Sequence, residues 1–382
     1  MLVKAPPNWK PTRLGDVCKA NQQTYSLAEK WAFVNYLDTG NIIENRIDEI
    51  QHLIIGKDTL PSRARRKVII DDIIYSTVRP NQRHYGIVKN TIPNMLVSTG
   101  FTVITADKAV ADSNFLYYYL TQNDIVDTLH AICEQSVSTY PSITPSDIEG
   151  LELMLPPLAE QKEIGRILSA LDDKIANNAK INHNLEQTTR AVFAERFGGQ
   201  EPNGTLGDII ELFDSKRVPL SSNQRSQMDK IYPYYGAATL MDYVADYIFD
   251  GVYLLLGEDG TVITDLGFPI LQYVWGKFWV NNHAHVMQGR NGYTTESLYV
   301  LLQQTSVQAA VTGAVQLKIN QSNLRAVPVF VPTVEQMTEY NAIIAPMFIQ
   351  LRMNSEDNKR LAGLRDSLLP RLMSGELSIA DG

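Results

Sequence analysis

Cysteine is nearly absent: 382 residues hold only Cys18 and Cys133. Two thiols make no disulfide framework, so a reducing compartment, the cytoplasm, is the expected location. Apolar runs of the ~18 residues a membrane span needs are missing as well. The opening MLVKAPPNWK lacks the apolar stretch of a secretory leader, and no membrane partner is expected. Broad positive charge is also lacking. The net charge is −8, so the chain does not coat nucleic acid by bulk electrostatics, and any contact must come from local clusters.

Catalytic signatures are missing too. Lys57 and Lys277 follow glycines but lack the upstream glycine of a phosphate-cradling Walker A loop. There is no GxGxxG, no GxSxG elbow, and no Asp/Asn-Pro-Pro-aromatic tetrapeptide of the amino-methyltransferases. Asp172-Asp173-Lys174 and Asp357-Asn358-Lys359 contain the Asp-x-Lys of some nucleases. Both lie within helical periodicity, where such charges form solvated faces. No catalytic residue is assigned.

What is present is dominated by one stretch, Leu155 to Phe197. Pro156-Pro157 suits a helix start, because the fixed φ fits the first turn and the missing N–H has no partner there. Apolar residues then recur at Ile164, Leu168, Leu171, Ile175, Leu185 and Val192, in steps of three and four. That is the coiled-coil repeat, on a rod about 60 Å long at roughly 1.5 Å per residue. So long an apolar stripe needs a partner helix, and Pro332 to Gly375 supplies one. Glu160-Gln161 aligns with Glu335-Gln336, Leu185 with Leu361, and Asn178, Asn182 with Asn354, Asn358. A buried Asn on a seam lowers stability but fixes register. The four asparagines therefore read as the crossing point of two antiparallel helices related by an approximate twofold, or else as solvated residues on an exposed face.

The repeat extends upstream. Ser146-Asp147-Ile148 matches Ser322-Asn323-Leu324, and Leu14-Gly15-Asp16 matches Leu206-Gly207-Asp208. The expected fold class is α+β by tandem duplication: two mixed α/β domains, 1–154 and 201–331, each followed by a long helix, 155–200 and 332–376. The helices are expected to pack as an antiparallel coiled coil with pseudo-twofold symmetry.

Polar clusters fall in the globular parts. In the first, Lys67–Ile70 and Asp72–Tyr75 read as short strands. Arg63, Arg65, Arg66 and Lys67 form a basic cluster. A turn between strand-like Ile73–Val78 and Tyr85–Val88 carries Arg79, Asn81, Gln82, Arg83 and His84. Arg suits guanine O6/N7 and Asn or Gln suits adenine N6/N7 in the major groove; an ordinary polar turn is the alternative. Phe115–Ala131 reads as an amphipathic helix and Ser136–Thr144 as a polar loop.

The second domain offers Lys216, Arg217, an aromatic turn at Tyr232–Ala237 with Tyr234 and Tyr235, and the tight loop Glu258, Asp259, Gly260. It also carries Asn281, Asn282, His283 and His285, and a polar loop Gly313–Lys318 with Gln316 and Lys318. Ser297–Ala310 reads as the counterpart helix. The Glu258–Asp259 pair more often caps a turn than holds a metal, and His283-x-His285 lacks a third close ligand for zinc; no metal is assigned.

With these features in place, the chain resembles the DNA-specificity subunit of Type I restriction–modification enzymes over essentially its full length. The resemblance is carried by LPPLAEQKEIGRIL…LDDKIA (Leu155–Ala176), YYGAA (Tyr234–Ala238), LLLGEDGT (Leu254–Thr261), NNHAHV (Asn281–Val286), VRPNQRHYGIV (Val78–Val88) and VSTGFTV (Val97–Val103). The second helix opens VPTVEQ rather than PPLAEQ, a departure near Pro332. The resemblance implies two target-recognition domains, each reading one part of a split double-stranded DNA site, with the helices setting the gap and docking two methyltransferase subunits. It places S-adenosylmethionine, ATP and Mg on partner subunits, restriction/translocase subunits among them, and no cofactor on this chain. A coiled-coil protein scaffold without DNA binding is the competing reading; a free-standing nuclease or methyltransferase is disfavoured by the missing motifs.

Overall fold

The computed structural model describes residues 6–135, 141–313 and 316–378. Part of each polar loop expected above, 136–140 and 314–315, therefore lies outside the described residues. The chain divides into two compact units. Met1–Ala176 with Asn358–Gly382 form one, and Asn177–Asp357 form the other.

In the first unit, Lys10–Arg13 pairs antiparallel with Glu152–Leu155, so the globular segment begins and ends side by side. The turn Leu14–Asp16 lies against the short helix Pro145–Glu149, whose start is closed by a capping box between Thr144 and Asp147. Gly15 permits this close approach: a Cβ there would come 3.1 Å from Glu149 Cβ and 3.2 Å from its carbonyl, so the neighbour would have to shift. Two four-stranded sheets fill the unit. One runs Gln51–Ile54, Phe33–Leu37, Met95–Ser98, Ala64–Lys67, and the other Cys18–Ala20, Phe101–Ala106, Ile73–Ser76, Tyr85–Ile87.

The strand expected at Lys67–Ile70 ends at Lys67. Beyond it Asp72 accepts from Ile69 N–H and turns the chain, leaving Ile69 and Ile70 exposed. The helix expected over Phe115–Ala131 is two helices, Ser113–Thr121 and Asn123–Gln135. Gln122 is extended between them (ψ 142°), a break that apolar periodicity does not reveal.

The second unit repeats this frame. Gly204–Thr205 pairs with Pro328–Val329. Gly207 packs where a Cβ would meet the Arg325 carbonyl at 3.0 Å, beside the short helix Gln321–Arg325. The contents differ. A single six-stranded sheet runs Ile210–Leu212, Ala284–Gly289, Phe249–Gly257, Leu271–Val280, Tyr232–Tyr235, Leu240–Val244. The expected aromatic turn is thus a strand with a bulge at Tyr234/Tyr235. Pro233 is tolerated because the neighbouring parallel strand pairs only from Tyr234 onward. The counterpart helix is Thr295–Leu302 followed by a 3₁₀ turn at Gln308–Ala310.

The long helices are Leu158–Phe197 and Val334–Met373, 40 residues each. Together they form an antiparallel coiled coil, and each unit holds part of both. In the first unit Arg365 pairs with Asp172 at 2.7 Å and Asn358 donates to the Ile175 carbonyl. Ile164, Leu168, Leu372 and Met373 join one core with Trp9 and Phe115. In the second, Tyr340 donates to Thr189 O and Asn354 to Asn182 Oδ1. As numbers rise along one helix they fall along the other.

The Glu-Gln shared by the two helix starts serves different contacts. Gln161 is fully buried, accepting from Asp112 N–H and donating to Val110 O and Pro156 O. Gln336 instead caps its own helix through Thr333 N–H. The PPLAEQ and VPTVEQ openings therefore differ in structure as in sequence.

Candidate nucleic-acid interface

In the first unit the turn between Ile73–Ser76 and Tyr85–Ile87 is a short 3₁₀ helix, Pro80–Gln82, flanked by Arg79 (φ 47°) and Arg83 (φ 57°), both left-handed. Left-handed backbone at a non-glycine residue costs on the order of 1–3 kcal/mol and persists only where the surroundings impose it. Here they do. Pro80 is buried. Arg83 donates to Asn123 Oδ1 at 2.7 Å and to the Tyr85 hydroxyl, with Glu44 3.5 Å away. The His84 ring contacts the Ile42 carbonyl at 2.6 Å and Gln82 at 3.3 Å. Arg83 and His84 thus face the body of the unit. Arg79, Asn81 and Gln82 are exposed at the tip, and among the described residues nothing holds the Arg79 guanidinium.

The Arg63–Lys67 cluster spreads along a sheet-edge strand. Arg63 is exposed; Arg65, Arg66 and Lys67 are half-buried. The Arg65 and Lys67 backbone is covered by the segment Gln23–Tyr25. Lys67 is paired with Glu29 at 2.5 Å and lies 5.2 Å from the Trp31 ring, and that bond holds the Glu29 carboxyl below its ordinary value. Lys67 is the most neutralised member of the cluster.

In the second unit four stretches converge: 214–217, 258–260, 281–285 and 316–321. Glu258 N–H donates to His283 O, Gly260 N–H to Leu317 O, and Ile319 N–H to Glu258 O. Gly260 takes a positive φ of 86° at the tip. Exposed on this assembly are Lys216, Gly260, Asn282, His283, Gln316 and Lys318. Asp259 accepts from the His283 ring at 2.7 Å.

Other residues expected here turn inward. Tyr234 is 1% exposed, its hydroxyl accepting from Leu220 N–H, with the Arg225 guanidinium 4.8 Å from its ring. Tyr235 packs edge-on to Phe278. Asn281 is buried and accepts from His283 N–H. His285 is fully buried between Asp214 and the Ile319 carbonyl, and Arg217 reaches back to Glu258. Tyr234 and His285 thus reach no surface: period-two alternation alone turns half of a strand's side chains inward.

Asp214 and Gln321, which no sequence motif marks, complete this group. Burial would raise the Asp214 carboxyl, but His285, the Val286 N–H and Arg217 together hold it below its ordinary value. Asp214, Glu258 and His285 bring one ligand-type atom each within 4.8 Å of one another. Arg217 already lies against both carboxylates and supplies the positive charge. His283 and His285 engage different carboxylates, so the His-x-His pair does not converge.

The four asparagines lie in the helix seam. Asn178 is buried and donates to Asp357, and Asn182 donates to Leu351 O and Ser355 Oγ. No described helix is long and apolar enough to cross a membrane.

Comparison with known proteins places these features in company. The family model described as Type I restriction modification DNA specificity domain matches residues 6–187 and again 202–357. The chain is 24% identical to the Type I restriction enzyme HindI specificity subunit of Haemophilus influenzae, covering 97% of this chain and all of that protein. It is 21% identical to the MjaIX specificity subunit of Methanocaldococcus jannaschii, covering 100% and 96%. Its fold is similar to that of the S subunit of a Type I restriction–modification system from M. genitalium, with a TM-score of 0.57, 16% identity and 96% of each chain covered.

Proposed function

The chain belongs to the Type I restriction–modification DNA specificity family, and on that premise we propose how its parts divide the reading of DNA. It is a specificity subunit with two target-recognition domains. Each domain reads one half of an asymmetric bipartite site in double-stranded DNA. The observation that supports this is one duplicated frame displaying two unlike sets of exposed polar loop residues. Unlike readers imply unlike half-sites. In the first domain Arg79, Asn81 and Gln82 read bases, with Arg63 and its neighbours on phosphates. In the second, Asn282, His283, Gln316 and Lys318 form the contact surface.

The helix pair sets the gap between the half-sites and docks two methyltransferase subunits. Adenine methylation from S-adenosylmethionine, and ATP- and Mg-dependent cleavage by restriction subunits, take place on those partners. Each domain is taken to span residues 1–154 and 201–331, with helices 155–200 and 332–376 as spacers.

The test is co-expression with the cognate methyltransferase subunit in a methylation-deficient host, followed by genome-wide mapping of N6-methyladenine. A split motif with a fixed unspecified gap is the expected result. Arg79→Ala should relax or abolish only one half of it, by about 1–3 kcal/mol of discrimination. A stable complex without methylation would favour a protein scaffold instead.

A further inference from the structure

The second domain buries a charge cluster that touches every one of its proposed DNA-contacting loops. Asp214 accepts from Val286 N–H with one oxygen and, with the other, faces His285 Nδ1 at 2.6 Å and Gln321 Nε2 at 2.6 Å. The same ring presents Nε2 to the Ile319 carbonyl at 2.8 Å. A carbonyl only accepts, so Nε2 donates to Ile319 while Nδ1 faces Asp214, and the ring bridges the two stretches. Arg217 donates to Glu258 at 2.7 Å and to the Ala284 carbonyl at 2.7 Å, and Lys318 lies 3.4 Å from the other Glu258 oxygen.

We propose that this cluster is a positioning device: His285 and Arg217 touch no DNA but fix the loops 258–260, 281–284 and 316–319 as one recognition surface. Each donor spans two separate stretches. His285 ties the strand Ala284–Gly289 to Asp214 and to Ile319. Arg217 ties the turn after Asp214 to Glu258 and to Ala284. Buried, fully bonded ion networks do little for net stability, since apolar groups of similar size often serve as well. What they add is one geometry, because a shifted loop would leave a buried charge unpaired. The first domain holds its Pro80–Gln82 turn by other means, Arg83 and His84 against Asn123 and Ile42. The device therefore concerns one half-site only.

This inference rests on the DNA reading proposed for the second domain. Once the motif is mapped, the purified complex with its methyltransferase subunits is tested by competition, using duplexes altered in one half-site at a time. Arg217→Lys keeps the charge but loses the fork, and His285→Gln loses one of the ring's two contacts. In both variants, discrimination at the half-site read by the second domain should fall about tenfold, the worth of one bond to a charged group. Discrimination at the other half-site should stay, as should the unfolding midpoint of Arg217→Lys. Unchanged discrimination in both variants, or equal loss at both half-sites, overturns the proposal.

Histidine-selective nitrogen NMR of the free chain adds a readout independent of DNA. One ring should show a slowly exchanging Nε2–H, buried against the Ile319 carbonyl, and that signal should vanish in His285→Gln; its absence refutes the cluster itself. Were the unaltered complex to show no preference in either half while that signal is present, the DNA reading would fail and the positioning role with it.

Discussion

The two units share a frame and almost nothing inside it. Each closes with a short antiparallel strand pair, Lys10–Arg13 with Glu152–Leu155 and Gly204–Thr205 with Pro328–Val329. Each packs a glycine, Gly15 or Gly207, against a five-residue helix. Between these fixed points the first builds two four-stranded sheets and the second one six-stranded sheet. The frame answers to the long helices, which are alike in both copies, while the contents answer only to what their loops must hold. Where the first unit holds a left-handed, exposed turn in place with the hydrogen bonds of Arg83 and His84, the second secures its loops with buried charge.

The largest expected effect sharpens the separateness of the two interiors. Phe278 is fully buried and stacks on Phe249 at 5.2 Å, and Phe278→Ala should cost about 3–5 kcal/mol. Amide protection should be lost across the six-stranded sheet alone. Both cysteines are buried in the first unit, and burial pushes the Cys18 thiol up to about 12. Thiol labelling should therefore stay slow in Phe278→Ala and become fast in Phe101→Ala. Fast labelling in both would merge the two interiors into one cooperative core.

A smaller effect contrasts two buried carboxylates. Asp214 is held below its ordinary value, burial being outweighed by His285, Val286 N–H and Arg217. Asp72 is raised by burial despite its bonds to Thr105 and Ile69. Asp214→Asn should thus cost about 3 kcal/mol and Asp72→Asn less than about 1 kcal/mol. The pH dependences have opposite sign. The stabilisation from Asp214 is present above the usual carboxylate value of about 3.9 and is lost as pH falls through its lower folded value. Asp72 takes up its proton first in the folded state, so acidification through its raised value favours the first unit. Urea titrations of both variants between about pH 6 and pH 3 test the pair; parallel curves would remove the distinction.

The smallest effect tests the frame itself. Gly15→Ala and Gly207→Ala each force a Cβ to about 3 Å from neighbouring backbone, so each should cost about 1–3 kcal/mol. The two values should agree within about 1 kcal/mol if the frame is truly repeated. Thermal unfolding of both variants decides.

Much of this was legible in the chain. The seam residues Ile164 and Leu168, the matched Leu-Gly-Asp turns and the paired long helices all follow from local period or internal similarity. The sheets do not, because Met95–Val97 pairs in parallel with Asn35–Leu37, a contact across about 60 residues that no local pattern encodes. The site was half visible. Loop tips such as Asn81 and Asn282 announce themselves by composition, whereas the inward turn of Tyr234 and His285 depends on strand phase and on Asp214, which carries no motif.

The first unit takes its core from segments on either side of the second in the sequence, since Leu372 and Met373 pack with Trp9, Ile164 and Leu168. The second is one uninterrupted run, Asn177–Asp357. On a ribosome, where synthesis proceeds from the amino end, the part made first must then wait. Its interior stays unsealed until Leu372 and Met373 have been made, and the later-made unit, Asn177–Asp357, is complete before the earlier one.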